Sequence, residues 1–336
     1  MAKTKKLIND ANNIITEMLD GVIGAHGDIL RRLDSNPRSI VAVDGPRDGK
    51  VGILIGGGSG HEPAFLGYVG KGLADAAAVG NVFASPAPDP IIEATKAIDG
   101  GAGVVYLYGN YAGDVMNFDM AAEMCAMEDI TVRTVLVTDD VASAPADKWK
   151  ERRGVAGDFF VFKVAGAAAD QMLDLDAVVA VAEKANRATY TMGVALGPCS
   201  LPHTLKPNFE IGEDEMEIGM GIHGEPGVAR GKLQSADAVT DSLVDGILAE
   251  AKAGAGDEVA LLVNGLGSTS LMELYVVHRR VKQRLDEAGI KIHRSFVGNY
   301  VTSLEMAGMS VTLMKLDADL KKHLDHPCRC AMFQVA

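Results

Sequence analysis

The sequence predicts an α/β fold of two domains, each with a mostly parallel sheet flanked by helices. Short apolar runs alternate with amphipathic helical patterns, glycines cluster where two of those runs stop, and 336 residues are enough for two cores. The expected domains are 1–190 and 191–336, with the change placed near residues 185–200.

The elements follow in order. Leu7, Ile8, Ala11, Ile14, Ile15, Met18, Leu19 and Val22 recur at three- and four-residue spacing, which predicts a helix over 5–24. Val51-Gly-Ile-Leu-Ile55 reads as a buried strand stopping at Gly56-Gly57-Gly58, and 103–108 as a second stopping at Gly109-Asn110-Tyr111. Residues 132–137 form a third, β-branched run. Helical patterns at 90–98 and 115–127 lie between them, and strands alternating with helices argue for parallel pairing. A helix over 176–188 precedes Gly197-Pro-Cys-Ser-Leu-Pro202, the sharpest punctuation in the second half. Beyond it the patterns predict strands at 215–222, 258–263, 291–297 and 310–316 and helices at 236–253 and 270–288. No internal repeat or low-complexity segment is present.

Composition narrows the function classes. Lys and Arg number 32 against 45 Asp and Glu, a net charge of −13 that opposes binding to phosphate backbones. No apolar run approaches the ~20 residues of a bilayer helix, and Met1-Ala-Lys-Thr-Lys-Lys6 leads into Asn9, Asp10, Asn12 and Asn13 rather than an apolar signal core. The chain therefore reads as soluble and cytoplasmic. Cys125, Cys199, Cys328 and Cys330 are sparse, as suits a reducing compartment. Glycine, at 38, is in excess; average usage gives roughly 24 in a chain this long.

Four segments could carry chemistry. Gly56-Gly-Gly-Ser-Gly-His-Glu-Pro63 follows a strand, where open α/β sheets bind ligands, and its bare backbone N–H groups suit a small oxygen-rich ligand; a flexible turn is the alternative. It is no dinucleotide fingerprint, because Pro63 stands where the third glycine belongs. Asn110-Tyr-Ala-Gly-Asp114 also sits at a strand end, where Asp114 is either a helix N-cap or a catalytic carboxylate. In Glu215-Met-Glu-Ile-Gly-Met-Gly-Ile-His-Gly-Glu-Pro-Gly227, period two puts Met216, Ile218, Met220 and Ile222 on a core face. Glu217, Gly219, Gly221 and His223 share the other, so the two glycines would leave a cavity beside the imidazole. The segment Gly224 to Lys232 only approximates a P-loop. His323-x-x-His326-Pro-Cys328-Arg-Cys330 is too compressed for a tetrahedral zinc framework, so no metal ligand is assigned.

Taken together, Gly56-Gly-Gly-Ser-Gly-His-Glu-Pro-Ala64, Gly67-Tyr-Val-Gly-Lys-Gly72, Asn110-Tyr-Ala-Gly-Asp-Val-Met-Asn-Phe118 and Gly219-Met-Gly-Ile-His-Gly-Glu-Pro-Gly227 resemble the ketose-binding K subunit of dihydroxyacetone kinases, from the first helix to about residue 320. The resemblance implies a two-domain α/β subunit, usually a homodimer, that binds a short ketose while a partner supplies the phosphoryl group. Carried over by position, it makes His223 the histidine that adds to the ketose carbonyl as a hemiaminal, Asp114 the carboxylate that accepts the terminal hydroxyl proton, and His61 an assisting histidine. Gly58, Ser59, Gly60 and Gly109 complete the implied substrate contacts.

Three positions depart from that pattern. Members acting on dihydroxyacetone usually carry a lysine where Gly109 stands, threonine or serine at Ala112 and histidine at Phe65. A pocket without the lysine suits a larger ketose, such as a tetrulose or a branched sugar. The chain also ends at Ala336 without the aspartate cluster that holds Mg²⁺ around ATP in fused members, so ATP or ADP with Mg²⁺ is expected on a separate L-type subunit, recharged by exchange or by a phosphocarrier protein. The same resemblance extends to ketose-sensing coactivators of transcription factors, the rival reading. A third is a glycine-loop phosphate binder of unrelated chemistry.

Overall fold

The computed structural model describes residues 4–336, which divide into two compact units. The first comprises Leu7–Val137, Phe159–Ala185 and Asp319–Ala336; the second comprises Thr138–Asp158 and Asn186–Ala318, with residues 4–6. This interleaved division differs from a single cut near residue 190. Its physical reason lies in helices whose destination no local pattern reveals. One of them, over Asp158–Asp170, buries Phe159, Phe160, Val161 and Phe162 completely, and a helix apolar on all sides carries no periodicity. It belongs to the first unit because Phe159 packs on Tyr68 at 5.5 Å and Phe162 on Phe65 at 6.0 Å.

In the first unit the elements run α1 Ile14–His26, β1 Leu30–Arg32, β2 Ser39–Ala42, β3 Gly52–Ser59, β4 Gly70–Lys71, β5 Ala76–Val82, α2 Pro88–Ile98, β6 Val104–Gly109, α3 Ala112–Ala126, β7 Val132–Val137, α4 Asp158–Asp170 and α5 Leu175–Ala188. The second unit holds β8 Thr189–Gly197, β9 Glu215–Ile218, β10 Ala229–Lys232, α6 Ala236–Ala251, β11 Glu258–Gly265, α7 Leu271–Glu287, β12 Lys291–Gly298 and β13 Ala307–Leu316. The chain closes with α8 Ala318–Asp325, β14 Cys328–Cys330 and β15 Gln334–Val335.

The first sheet has the order β1-β2-β5-β3-β6-β7, and its β5, β3, β6 and β7 are parallel. Helices α2 and α3 cover one face, where Ile91, Ile98, Phe118 and Ala121 meet Leu54, Val104, Tyr106 and Tyr108. The second sheet runs β10-β9-β8-β13-β11-β12. Here α6 and α7 bury Leu243, Ile247, Val277 and Val281 against Leu261, Val263 and Val311. Both units are thus α/β with helix-flanked sheets and parallel strands in each. The second is more mixed than alternation suggested: β11 and β12 are parallel across α7, while β8, β9 and β10 pair antiparallel because loops, not helices, connect them. β13 enters antiparallel between β8 and β11.

Three boundaries moved for identifiable reasons. The first helix starts at Ile14 rather than at residue 5, because Asp10 Oδ1 accepts from the Asn12 backbone N–H at 2.9 Å and its amide at 3.0 Å, which makes a turn instead. β3 runs on through the glycines to Ser59. The strand expected over 215–222 stops at Ile218, although Met216, Met220 and Ile222 remain buried as the period-two pattern required. Among the described residues no helix is long and apolar enough to cross a membrane, and all four cysteines are buried free thiols.

Candidate active site

In the first unit the sheet brings two of the singled-out segments to one edge. β3 and β6 are neighbouring parallel strands, so Ser59-Gly-His-Glu62 and Gly109-Asn-Tyr-Ala-Gly-Asp114 both leave from carboxyl ends, the place where open parallel sheets bind ligands. β5, on the other side of β3, delivers Phe83, Ala84 and Ser85 to the same edge.

The glycines of β3 are there for close packing. A Cβ on Gly56 would stand 2.7 Å from the Ala78 carbonyl oxygen, one on Gly57 2.2 Å from the Phe65 ring, and one on Gly58 2.7 Å from the Ala84 nitrogen. The run therefore lets β5, Phe65 and the Phe83 turn approach the strand, rather than leaving a loose loop of bare N–H groups. Ser59 is buried, with Oγ donating to the Gly80 carbonyl at 2.8 Å. The Gly60 N–H donates to both carboxylate oxygens of Glu62, at 3.1 and 2.9 Å, which gives Glu62 a local role the sequence did not disclose. Burial pushes the Glu62 carboxyl up, against these backbone bonds.

His61 is 2% exposed and stacks on Phe83, with ring centroids 5.0 Å apart and planes 18° from parallel. Phe83 holds φ at +55°, a left-handed conformation that costs an aromatic residue on the order of 1 kcal/mol or more. The Phe83 N–H donates to the Ser59 carbonyl at 2.9 Å, so the strained turn is tied to the strand it covers.

Asp114 lies in the first turn of α3, three residues after the N-cap Tyr111, whose side chain makes no capping bond. It is thus not the N-cap, and its charge sits at the favourable end of the helix dipole. Burial, then the charges of Asp119 and Asp114, push the neighbouring Tyr108 phenol up, so that it stays protonated. Asn117, one turn on, donates to Ser85 Oγ at 3.2 Å and the Pro86 carbonyl at 2.8 Å, fixing α3 against the end of β5. Gly109 is the buried last residue of β6, and Phe65 packs on Gly57 and Phe162.

In the second unit His223 lies in a turn beyond β9. Its Nδ1 is 2.9 Å from Glu225 Oε1, and its backbone N–H donates to Glu225 Oε2 at 3.0 Å. Burial alone would raise Glu225, but the hydrogen bond and charge of His223 outweigh it and hold this carboxylate at about 2. An ionised carboxylate only accepts, so Nδ1 donates this bond, and in the neutral ring the lone pair is on Nε2. The turn is held by Asn208 Nδ2 on the His223 carbonyl at 2.9 Å and by Ser303 Oγ on the Ile222 carbonyl.

The glycines beside His223 do not leave a cavity. A Cβ on Gly219, at φ +77°, would meet Ala142 at 2.6 Å; one on Gly221 would stand 2.2 Å from Glu225 Oε2 and 2.5 Å from an Arg153 guanidinium nitrogen. Gly219 admits Ala142, and Gly221 admits two charged side chains. Glu225 sits two residues from the histidine and was legible as a partner by spacing; Arg153, seventy residues away, was not.

The C-terminal histidines go to separate partners. His323 Nδ1 is 3.0 Å from Gln171 Nε2, His326 Nε2 is 2.7 Å from Asp170 Oδ2, and Cys330 donates to the Phe333 carbonyl. Among the described residues no group of three or more His, Cys, Asp or Glu is arranged to hold a metal.

The Dak1 domain model matches residues 20–332. The chain is 52% identical over 331 residues to the PTS-dependent dihydroxyacetone kinase 2, dihydroxyacetone-binding subunit DhaK, of Listeria innocua, covering 98% of this chain and 99% of that one. It is 43% identical over 332 residues to an L-erythrulose kinase of Pectobacterium atrosepticum, covering 98% of this chain and 56% of that protein. Among solved structures it is similar to the dihydroxyacetone kinase from C. freundii in complex with AMP-PNP and Mg²⁺, with a TM-score of 0.91, 33% identity, and coverage of 99% and 61%. It is also similar to the dihydroxyacetone kinase operon co-activator Dha-DhaQ, at 0.87, 35%, and coverage of 94% and 97%.

Proposed function

The chain belongs to the Dak1 domain family, and from that premise we propose that it is the ketose-binding subunit of a dihydroxyacetone-kinase-type enzyme, holding a short ketose covalently on His223 for phosphorylation by a partner. The observation that carries this reading is the 2.9 Å contact between His223 Nδ1 and Glu225. It makes Nε2 the nucleophilic nitrogen. Addition of Nε2 to the carbonyl carbon forms the C–N bond as the C=O π bond breaks, and its electron pair moves to oxygen, which takes up a proton from solvent. The ring becomes cationic as the bond forms, and the Glu225 carboxylate stabilises that charge. Polyols such as glycerol offer no carbonyl and are excluded by chemistry rather than by shape.

Asp114 is the base in this reading. It takes the proton of the terminal hydroxyl as that oxygen attacks phosphorus. His61, fixed by its stack on Phe83, hydrogen-bonds the substrate, with close backbone contacts at Gly58, Ser59, Gly60 and Gly109. The phosphoryl donor, ATP or ADP with Mg²⁺, resides on an L-type partner, recharged by exchange or by a phosphocarrier. The subunit works as a homodimer in the cytoplasm. Gly109 leaves room for a four-carbon ketose, and 43% identity to an L-erythrulose kinase supports erythrulose beside dihydroxyacetone as a substrate.

A ketose-sensing coactivator is the second reading, favoured by 35% identity to Dha-DhaQ. Native mass spectrometry with dihydroxyacetone, erythrulose and glycerol, on the parent chain and on His223→Ala, tests the capture common to both. A ketose adduct less one water is not expected; the mass added is that of the whole ketose, and it disappears in the variant. No adduct on the parent chain would overturn the reading. Turnover with an added nucleotide-binding subunit then separates enzyme from sensor.

A further inference from the structure

We propose that Arg153, seated on Asp140, is a positioning residue for His223. The inference rests on the reading of His223 given above and concerns residues that neither the sequence motifs nor the family resemblance singled out.

Arg153 follows the short 3-10 turn Ala146–Glu151, and its side chain is half-buried, 15% exposed. One edge is spent on Asp140, itself 5% exposed: Nε and Nη2 both reach Oδ2, at 2.9 and 2.8 Å. The anchor is itself anchored, because Asp140 Oδ1 accepts from the Ala142 N–H at 3.1 Å and the Asp140 N–H donates to the Arg153 carbonyl at 3.1 Å. From this seat Nη2 donates to the Gly219 carbonyl at 3.0 Å, and Nη1 and Glu225 Oε2 flank the one point where a Gly221 side chain would begin. The Gly221 N–H in turn donates to the Glu225 carbonyl at 3.0 Å.

A tie of purely structural purpose would be complete with Asp140 and the Gly219 carbonyl. The remaining edge of the fork points instead across a side-chain-free position toward the carboxylate that holds the His223 proton. Two consequences follow. The positive charge beside the Gly221 position draws the Glu225 carboxylate into place, and that carboxylate accepts the proton on Nδ1. The rigid fork also fixes the height of the Gly219–Gly221 backbone from which His223 projects. A lysine retains the first effect and loses the second. Asp140 serves by orienting Arg153, and burial pushes its own carboxyl up to about 6 against the attraction of that guanidinium.

The test uses the full chain as wild type, Arg153→Met, Arg153→Lys and Asp140→Asn, each checked for cooperative unfolding. Imidazole ¹⁵N spectra of the ketose-free protein report the His223 tautomer, assigned among the eight histidines with His223→Ala. Native mass spectrometry reports the dihydroxyacetone adduct. In Arg153→Met the Nδ1–H signature weakens as the Glu225 carboxylate loses its placement, and the adduct falls on the order of tenfold or more; Arg153→Lys restores the signature but only part of the adduct. Asp140→Asn, which preserves shape, moves both readouts in the same direction as Arg153→Met and decides the matter if that variant does not fold. Wild-type tautomer and adduct in either variant overturn the proposal. Should the wild type form no adduct, the ketose reading fails and the tautomer comparison alone decides the role of Arg153.

Discussion

Glu225 Oε1 lies 2.9 Å from His223 Nδ1 while its second oxygen accepts the His223 backbone N–H at 3.0 Å, so one carboxylate fixes both the ring and the main chain of the same residue. This pairing sets the tautomer without which Nε2 could not attack a carbonyl. Glu225→Gln should therefore cut ketose adduct formation, because the amide can present its N–H₂ to Nδ1 and shift the ring proton to Nε2.

The same pair predicts a pH dependence of stability. Glu225 is held at about 2 in the folded chain, below its unfolded value, so its stabilisation is in full force above that unfolded value and is lost as pH falls toward about 2. With a side chain 33% exposed, solvent screening reduces the contribution to about 1 kcal/mol at neutral pH. Urea midpoints of wild type and Glu225→Gln, measured from pH 7 down to pH 3, should converge on the acid side. A constant difference across that range would contradict the assignment.

Gly221→Ala should cost clearly more stability than a methyl added at an open glycine of the second unit, because Glu225 and Arg153 must both give way. Its Cβ would meet Glu225 at 2.2 Å and Arg153 at 2.5 Å, an overpacking worth about 1–3 kcal/mol. Gly231→Ala, with nothing within 4 Å, should be close to neutral and serves as the control. Denaturant unfolding checks the ranking.

In the first unit Gly57 and Phe65 should behave as a coupled pair. Gly57→Ala drives a methyl to 2.2 Å from the Phe65 ring, and Phe65→Leu removes the atoms it strikes. A double-mutant cycle should show the two substitutions recovering at least about 0.5 kcal/mol relative to their sum. Simple additivity would mean that Phe65 already yields to the extra methyl.

Asp114→Asn should separate capture from transfer. The adduct on His223 persists, while phosphoryl transfer with a nucleotide-binding partner falls by about 10²-fold or more, the usual scale for losing a general base. An adduct lost together with turnover would assign Asp114 to binding instead.

The strands that alternate visibly with helices were legible: β6, β7 and β11 carry β-branched or aromatic runs, and the patterns for α2, α6 and α7 match to within two residues. β5 was not, because Ala76-Ala-Ala78 has no strand signal; it is small because its Ala78 carbonyl must pass 2.7 Å from where a Gly56 side chain would be. α4 was missed for the opposite reason, being buried on every side. At the site, glycine spacing drew attention to His223, but the glycines have a different cause. Gly219 and Gly221 were read as the floor of a cavity, whereas they admit Ala142, Glu225 and Arg153. A missing side chain in a sequence shows that something comes close; only the fold shows what.

Covalent capture is tested most directly by ¹³C NMR of dihydroxyacetone labelled at its carbonyl carbon, mixed with the wild-type chain and with His223→Ala. A protein-bound resonance in the tetrahedral-carbon region, correlated to the ¹⁵N of the His223 ring and absent from the variant, is the predicted result. A bound ketose that keeps its trigonal carbonyl resonance, or a tetrahedral one that survives in His223→Ala, would contradict it.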